Sequence, residues 1–89
     1  MLTNSNIVIF DLQFRNDLRW WAKKDKKTCN RILDLIEAVI ADPTQGIGKP
    51  EKLKYLPGSR WSRRITQEHR LVYQIGKQKP IFLQCRYHY

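Results

Sequence analysis

The sequence predicts an α+β fold in which a short N-terminal strand and two amphipathic helices pack on one face of a mainly antiparallel, twisted sheet. Three observations predict it. A β-branched run, Ile7-Val8-Ile9-Phe10, is followed by apolar residues at helical spacing as far as Pro43, and from Leu53 onward the apolar residues alternate in short runs separated by turn residues. At 89 residues the chain reads as one domain spanning 1–89, able to bury a single core and too short for separate catalytic and binding domains.

Ile7 to Phe10 reads as a short buried strand, and Asp11 is a suitable N-cap for a helix that starts directly after it. Phe14, Leu18, Trp21 and Ala22 recur on one face of that helix, with Trp20 beside them, while Arg15, Arg19 and Lys23 form a basic, solvated stripe. Asp25 both breaks the first helix and caps a second. Cys29, Ile32, Leu33, Ile36, Val39 and Ile40 take its apolar side, with Asn30, Arg31, Asp34 and Glu37 opposite. Pro43 stops this helix because it has no amide proton and disfavours helical angles at Asp42. The segment Thr44 to Pro50, with two glycines and a proline, reads as an irregular loop.

Strands are expected at Leu53-Lys54-Tyr55, Trp61 to Thr66, Arg70 to Ile75 and Ile81 to Tyr87, with Pro57-Gly58 as a turn and Gly76 to Lys79 as a hairpin. Residues two apart share a face of a strand. Alternation therefore sends Ile65, Leu71, Tyr73, Ile75, Leu83 and Cys85 under the helices and leaves Arg64, Arg70, Arg86 and His88 on an open, concave face. Arg63 violates the pattern, and a position near a sheet edge with a snorkelling side chain would accommodate it.

Charge is concentrated where the strands are. Met1 to Gly48 holds seven Lys/Arg against six Asp/Glu, whereas Lys49 to Tyr89 holds ten against two, within an overall net charge of +9. Such a surface attracts nucleic-acid phosphates, and it would also attract an acidic protein or anionic lipid. No basic n-region opens the sequence and the longest apolar runs are four residues, so a soluble, cytoplasmic protein with no membrane association is expected. Cys29 and Cys85 form no CxxC pair and have no histidine at ligand spacing, which reads as reduced core cysteines, with no metal site and no cofactor.

The second half also holds the groups needed to cut RNA. The 2′-hydroxyl is RNA's own nucleophile, so cleavage needs a base, stabilisation of the phosphorane and an acid for the 5′-oxygen. Glu51 is the candidate base, in a loop beside Lys52 and Lys54; the alternative is an ordinary surface carboxylate. Arg64 and Arg70 could clamp the non-bridging oxygens, or merely hold RNA, or pair with Glu68 or Glu51. Lys54 could act as a point charge, and Arg63 and Arg86 join the array of phosphate-binding guanidiniums. His88 is the candidate acid, because imidazole titrates near neutral pH. His69 is a rival, but its place in a turn between strands favours a structural role. Tyr89 offers a stacking surface for a base, more readily than Tyr87, which alternation places on the core face.

The strings Gly48-Lys49-Pro50-Glu51, Leu53-Lys54, Trp61-Ser62-Arg63-Arg64-Ile65-Thr66, Glu68-His69-Arg70-Leu71-Val72-Tyr73 and Cys85-Arg86-Tyr87-His88-Tyr89 closely resemble the YoeB (Txe/YoeB) toxins of the RelE superfamily. The resemblance implies a RelE-like (microbial-RNase-like) fold and a toxin of a type II toxin–antitoxin system. It implies a metal-independent endoribonuclease that enters the 70S ribosome's A site, beside ribosomal RNA, and cuts the mRNA there, inhibiting translation. Glu51 then matches the general base, His88 the general acid, and Arg64 and Arg70 the phosphate stabilisers, with Lys49, Lys54 and Tyr89 positioning RNA. A homodimer and a YefM-type antitoxin that covers the active site are also implied, with DNA contacted only through the antitoxin complex. The residues alone leave room for a different reading, a non-catalytic basic RNA- or ribosome-binding module that blocks translation by occupancy. A direct DNA-binding role has little support, because no helix is basic, exposed and furnished with base-reading side chains.

Overall fold

In the computed structural model, which describes residues 7–77 and 79–87, two helices pack on a five-stranded sheet. The elements are β1 (Ile9–Phe10), α1 (Leu12–Lys24), α2 (Lys26–Ala41), β2 (Glu51–Lys52), β3 (Arg60–Arg64), β4 (Arg70–Ile75) and β5 (Pro80–Gln84). The strand order is β1-β5-β4-β3-β2, antiparallel throughout except that β1 runs parallel to β5.

Aspartates set the helix boundaries. The Asp11 carboxylate accepts the Gln13 N–H at 2.9 Å and so satisfies one of the unpaired donors that open α1. Asp25 works in both directions: its N–H donates to Trp21 O at 2.8 Å, closing α1, and its carboxylate accepts from Thr28 N and Thr28 Oγ1 at 3.2 and 2.7 Å, opening α2. These bonds hold the Asp25 carboxyl below the ordinary aspartate range, the Thr28 hydroxyl contributing most. Asp42 N–H donates to Ala38 O at 3.0 Å and ends α2 immediately before Pro43.

One core lies between the helices and the sheet. Phe14 and Trp21 of α1 and Ile32, Leu35, Ile36 and Val39 of α2 meet Ile65, Leu71, Tyr73, Phe82 and Cys85. The residues of α2 follow the i, i+3, i+4, i+7 spacing of a single face. That face is displaced from the expected one, because Leu35 is fully buried while Leu33 and Ile40 are exposed. Phe10, Phe14 and Phe82 form an aromatic cluster, with ring centroids 4.7 to 5.9 Å apart, that attaches β1 and α1 to β5. Burial pushes the Cys85 thiol well above its ordinary pKa, consistent with an inert core residue. No helix among the described residues is long and apolar enough to cross a membrane.

Three expectations about the strands need correction. The N-terminal strand is not buried: it occupies the sheet's edge, and Ile9 and Phe10 remain 40% and 37% exposed. The strand expected at Leu53 to Tyr55 lies earlier, at Glu51–Lys52, because its register is set by pairing Glu51 with Ser62 and Lys52 with Trp61. Leu53 instead anchors the end of that pairing, buried, with its N–H on Arg60 O at 2.8 Å. On β5 a bulge reverses the alternation: Val72 faces Gln84 but Tyr73 faces Phe82, leaving Leu83 between them. Phe82 is therefore fully buried where Leu83 was expected, and the strand ends at Gln84 instead of Tyr87.

Candidate active site

Strand register assembles the first part of the site. Ser62 and Arg64 share a face of β3, and directly opposite residues of an antiparallel pair share a face too. Glu51 stands opposite Ser62, and Arg70 stands opposite Arg64. The structure thus gathers Glu51, Arg64 and Arg70 on the sheet face away from the core, as alternation predicts for the two arginines. Glu51 and Arg64 are exposed and Arg70 is half-buried. Lys49 and Lys54 flank Glu51 in sequence, and both are exposed.

The passage of the preceding loop alongside β3 depends on two glycines. Arg64 N–H donates to Gly48 O at 2.6 Å, and a Cβ on Gly48 would lie 2.8 Å from Leu35 Cδ2 and 3.3 Å from Arg64 O. Gly48 also takes a left-handed φ of 85°, as does Lys49 with 52°. Gly46, with φ 126°, sits so that a Cβ would come within 3.0 Å of Arg63 Nη1. Close backbone passage over Arg63 and Arg64 thus excludes larger residues here.

Arg63 is the clearest departure from expectation. It neither snorkels nor joins the phosphate-binding array; it is fully buried, on the core face of β3. Its guanidinium donates to Ile47 O at 3.1 Å, Gln45 O at 3.0 Å and Asp42 O, while Nε donates to Tyr73 Oη at 3.2 Å. Tyr73 Oη in turn donates to Pro43 O. Burial raises the Tyr73 pKa, so the phenol keeps the proton it donates. Arg63 therefore binds the chain's own carbonyls, holding the 42–48 loop that leads into Glu51. The planar fork of a guanidinium suits several carbonyls at once.

The chain after β5 is tied down at four points. Trp21 Nε1 donates to Cys85 O at 2.8 Å, Cys85 N to Asp17 Oδ2 at 3.1 Å, Tyr87 N to His69 Nδ1 at 2.7 Å, and Arg70 N to Tyr87 O at 3.1 Å. Asp17 and the His69 acceptor were not legible as parts of the site, although a carboxylate between Phe14 and Leu18 was a signal that α1 carries a buried polar partner. Arg86 does not lie on the open face. Since β5 ends at Gln84, the Arg86 guanidinium stacks 3.7 Å from the Trp20 ring centroid and donates to Tyr87 Oη at 3.2 Å. Tyr87 is exposed, contrary to its expected place in the core. His88 and Tyr89, the expected acid and stacking residue, lie outside the described residues.

The fold and this face define a class: a small, basic RelE-like α+β protein presenting a carboxylate among arginines and lysines. Residues 10–89 match the family model of the YoeB-like toxin of bacterial type II toxin–antitoxin systems. The Synechocystis sp. Toxin YoeB is 49% identical over 74 residues, covering 83% of this chain and 86% of that one. A YoeB dimer from Staphylococcus aureus superposes with a TM-score of 0.82 at 39% identity, covering 92% of this chain and 95% of that one. The heterotetrameric YoeB–YefM complex of the same organism gives 0.84 at 36% identity, covering 97% of this chain and 100% of its counterpart. The chain belongs to the YoeB-like toxin family and is a toxin of a type II toxin–antitoxin system.

Proposed function

We propose that this toxin is a metal-independent endoribonuclease that cuts mRNA in the ribosomal A site and so inhibits translation. The observation that carries the reading is the register that places Glu51, Arg64 and Arg70 on one face while Arg70 N–H holds Tyr87, the residue before His88. Glu51 takes the 2′-hydroxyl proton, and the 2′-oxygen attacks the adjacent phosphorus. Arg64 and Arg70 stabilise the dianionic phosphorane, whose charge exceeds that of the ground state. His88 protonates the departing 5′-oxygen. The products are a 5′-hydroxyl and a 2′,3′-cyclic phosphate, which water can open to a 3′-phosphate. Lys49, Lys54 and Tyr89 would hold the RNA.

The family relationship supports the other partners proposed: a YefM-type antitoxin, a homodimer, and DNA only through the antitoxin complex. A cytoplasmic location follows from a ribosomal substrate. Programmed ribosomes with an empty A site test the reading. Wild-type protein cleaves the A-site codon and Glu51→Gln does not, whereas intact mRNA with protein bound to the ribosome would favour a blocking module.

A further inference from the structure

We propose that His69 is a positioning residue for the proposed cleavage reaction: its unprotonated Nδ1, by accepting the Tyr87 amide proton, holds the chain segment that delivers His88 to the phosphate. This inference rests on the assignment of His88 as general acid.

The geometry defines the protonation state. Tyr87 N lies 2.7 Å from His69 Nδ1 and is a donor, so Nδ1 must present its lone pair. Protonation at Nδ1 would set two donors against each other and break the contact. The imidazole packs T-shaped against the Trp21 ring with centroids 4.8 Å apart and against the Tyr87 ring at 5.1 Å, while the His69 backbone N–H donates to Thr66 Oγ1 at 3.2 Å and fixes the turn that carries it.

Tyr87 needs this support. It adopts φ 63°, in the left-handed region that a bulky aromatic residue rarely occupies. Such a conformation persists where the surroundings over-determine it. Here neighbouring residues grip both sides of the same residue, His69 Nδ1 at its N–H and Arg70 N–H at its carbonyl. That carbonyl belongs to the peptide group joined to His88. One end of the β3–β4 turn therefore connects the proposed phosphate stabiliser Arg70 to the segment bearing the proposed acid.

The charged and titratable groups around His69 come from three sides. Glu68 and Arg70 adjoin it in sequence; the tail contributes the Tyr87 phenol and Arg86, which stacks 4.9 Å from the Tyr87 ring centroid. From α1 the neutral Trp21 faces it, with Asp17 one turn earlier occupied by the Cys85 amide. None of these replaces Nδ1 as the acceptor for Tyr87 N–H.

The test uses the full chain and three forms: wild type, His69→Leu and His69→Asn. Asparagine carries an acceptor at the same bond distance from the backbone as Nδ1, and leucine carries none. Nitrogen NMR of the RNA-free protein should show an unprotonated Nδ1 coupled to the Tyr87 amide. In cleavage of ribosome-bound mRNA, His69→Leu should lower kcat on the order of 10- to 100-fold with KM little changed, the scale expected of a misplaced catalytic group. His69→Asn should recover most of the loss. A protonated Nδ1 in the active pH range, wild-type kcat in His69→Leu, or equal loss in both variants overturns the positioning role while active wild type leaves the nuclease intact. An inactive wild type overturns both.

Discussion

Arg64 and Arg70 stand directly opposite one another on β3 and β4, two cations in a cross-strand pair that folding alone would not select. Like charges so placed destabilise a sheet. In the proposed reaction the same repulsion is relieved when the phosphate's growing negative charge enters between them. Neutralising either one, as in Arg70→Gln, is expected to leave the melting temperature unchanged or raise stability by about 0.2–1 kcal/mol. The same variant should lower kcat by about 100-fold or more, as removal of a transition-state donor does elsewhere. Paired thermal melts and ribosome cleavage assays check both halves of the expectation.

Arg63 should behave in the opposite way. Its guanidinium satisfies three loop carbonyls and the Tyr73 hydroxyl inside the fold. Substitution by methionine leaves those part-buried acceptors without their donor, a loss of about 3–5 kcal/mol given a cost of about 1–3 kcal/mol per orphaned group with partial relaxation. Chemical denaturation measures this directly. An Arg63→Lys variant should recover only part of the stability, because one ammonium cannot reproduce the fork.

Acid stability isolates the helix junction. Asp25 is held below the ordinary aspartate value of 3.8, first by the Thr28 hydroxyl and then by the Thr28 amide. A carboxylate whose pKa is depressed by folding stabilises the native state above its unfolded pKa, and that contribution is lost as the pH falls through its folded value. Denaturation midpoints of wild type should therefore drop below pH 3.8 more steeply than those of Asp25→Asn, which caps α2 without titrating. Parallel slopes in the two proteins would contradict this account of the junction.

Lys49 and Lys54 are exposed on either side of Glu51, and the RNA contacts proposed for them should be separable. Replacing either with glutamine should weaken RNA binding uniformly across sequences and reduce the slope of log K against log salt by about 0.7, the release of one counterion from a single strand. A fluorescence titration at several salt concentrations gives the slope. Arg86→Gln should change it less, because its guanidinium is committed to Trp20 and Tyr87.

The helices were legible because each boundary has a local chemical cause: Asp11, Asp25 and Pro43 act on the backbone within a few residues. The faces of Arg64 and Arg70 were legible for the same reason, since period-two alternation is a property of the strand itself. What was not legible depends on long-range partners. Arg63 broke the alternation in charge but kept it in geometry, and only the carbonyls of a loop some 20 residues earlier explain a buried guanidinium. The bulge at Leu83 is set by the match of β5 to β4, so no feature of β5 alone moves Phe82 into the core. His69 was legible as a turn residue and not as a ligand for Tyr87, because that contact joins positions 18 apart.

The most direct test maps the ends of the cut RNA. Stalled ribosomes carrying an end-labelled mRNA and an empty A site receive wild-type protein or His88→Gln. With the wild type, a break is expected within the A-site codon whose upstream fragment ends in a 2′,3′-cyclic or 3′-phosphate, and the variant should lose it. A 3′-hydroxyl end, undiminished cleavage by His88→Gln, or intact mRNA on ribosomes that still hold the protein would contradict it.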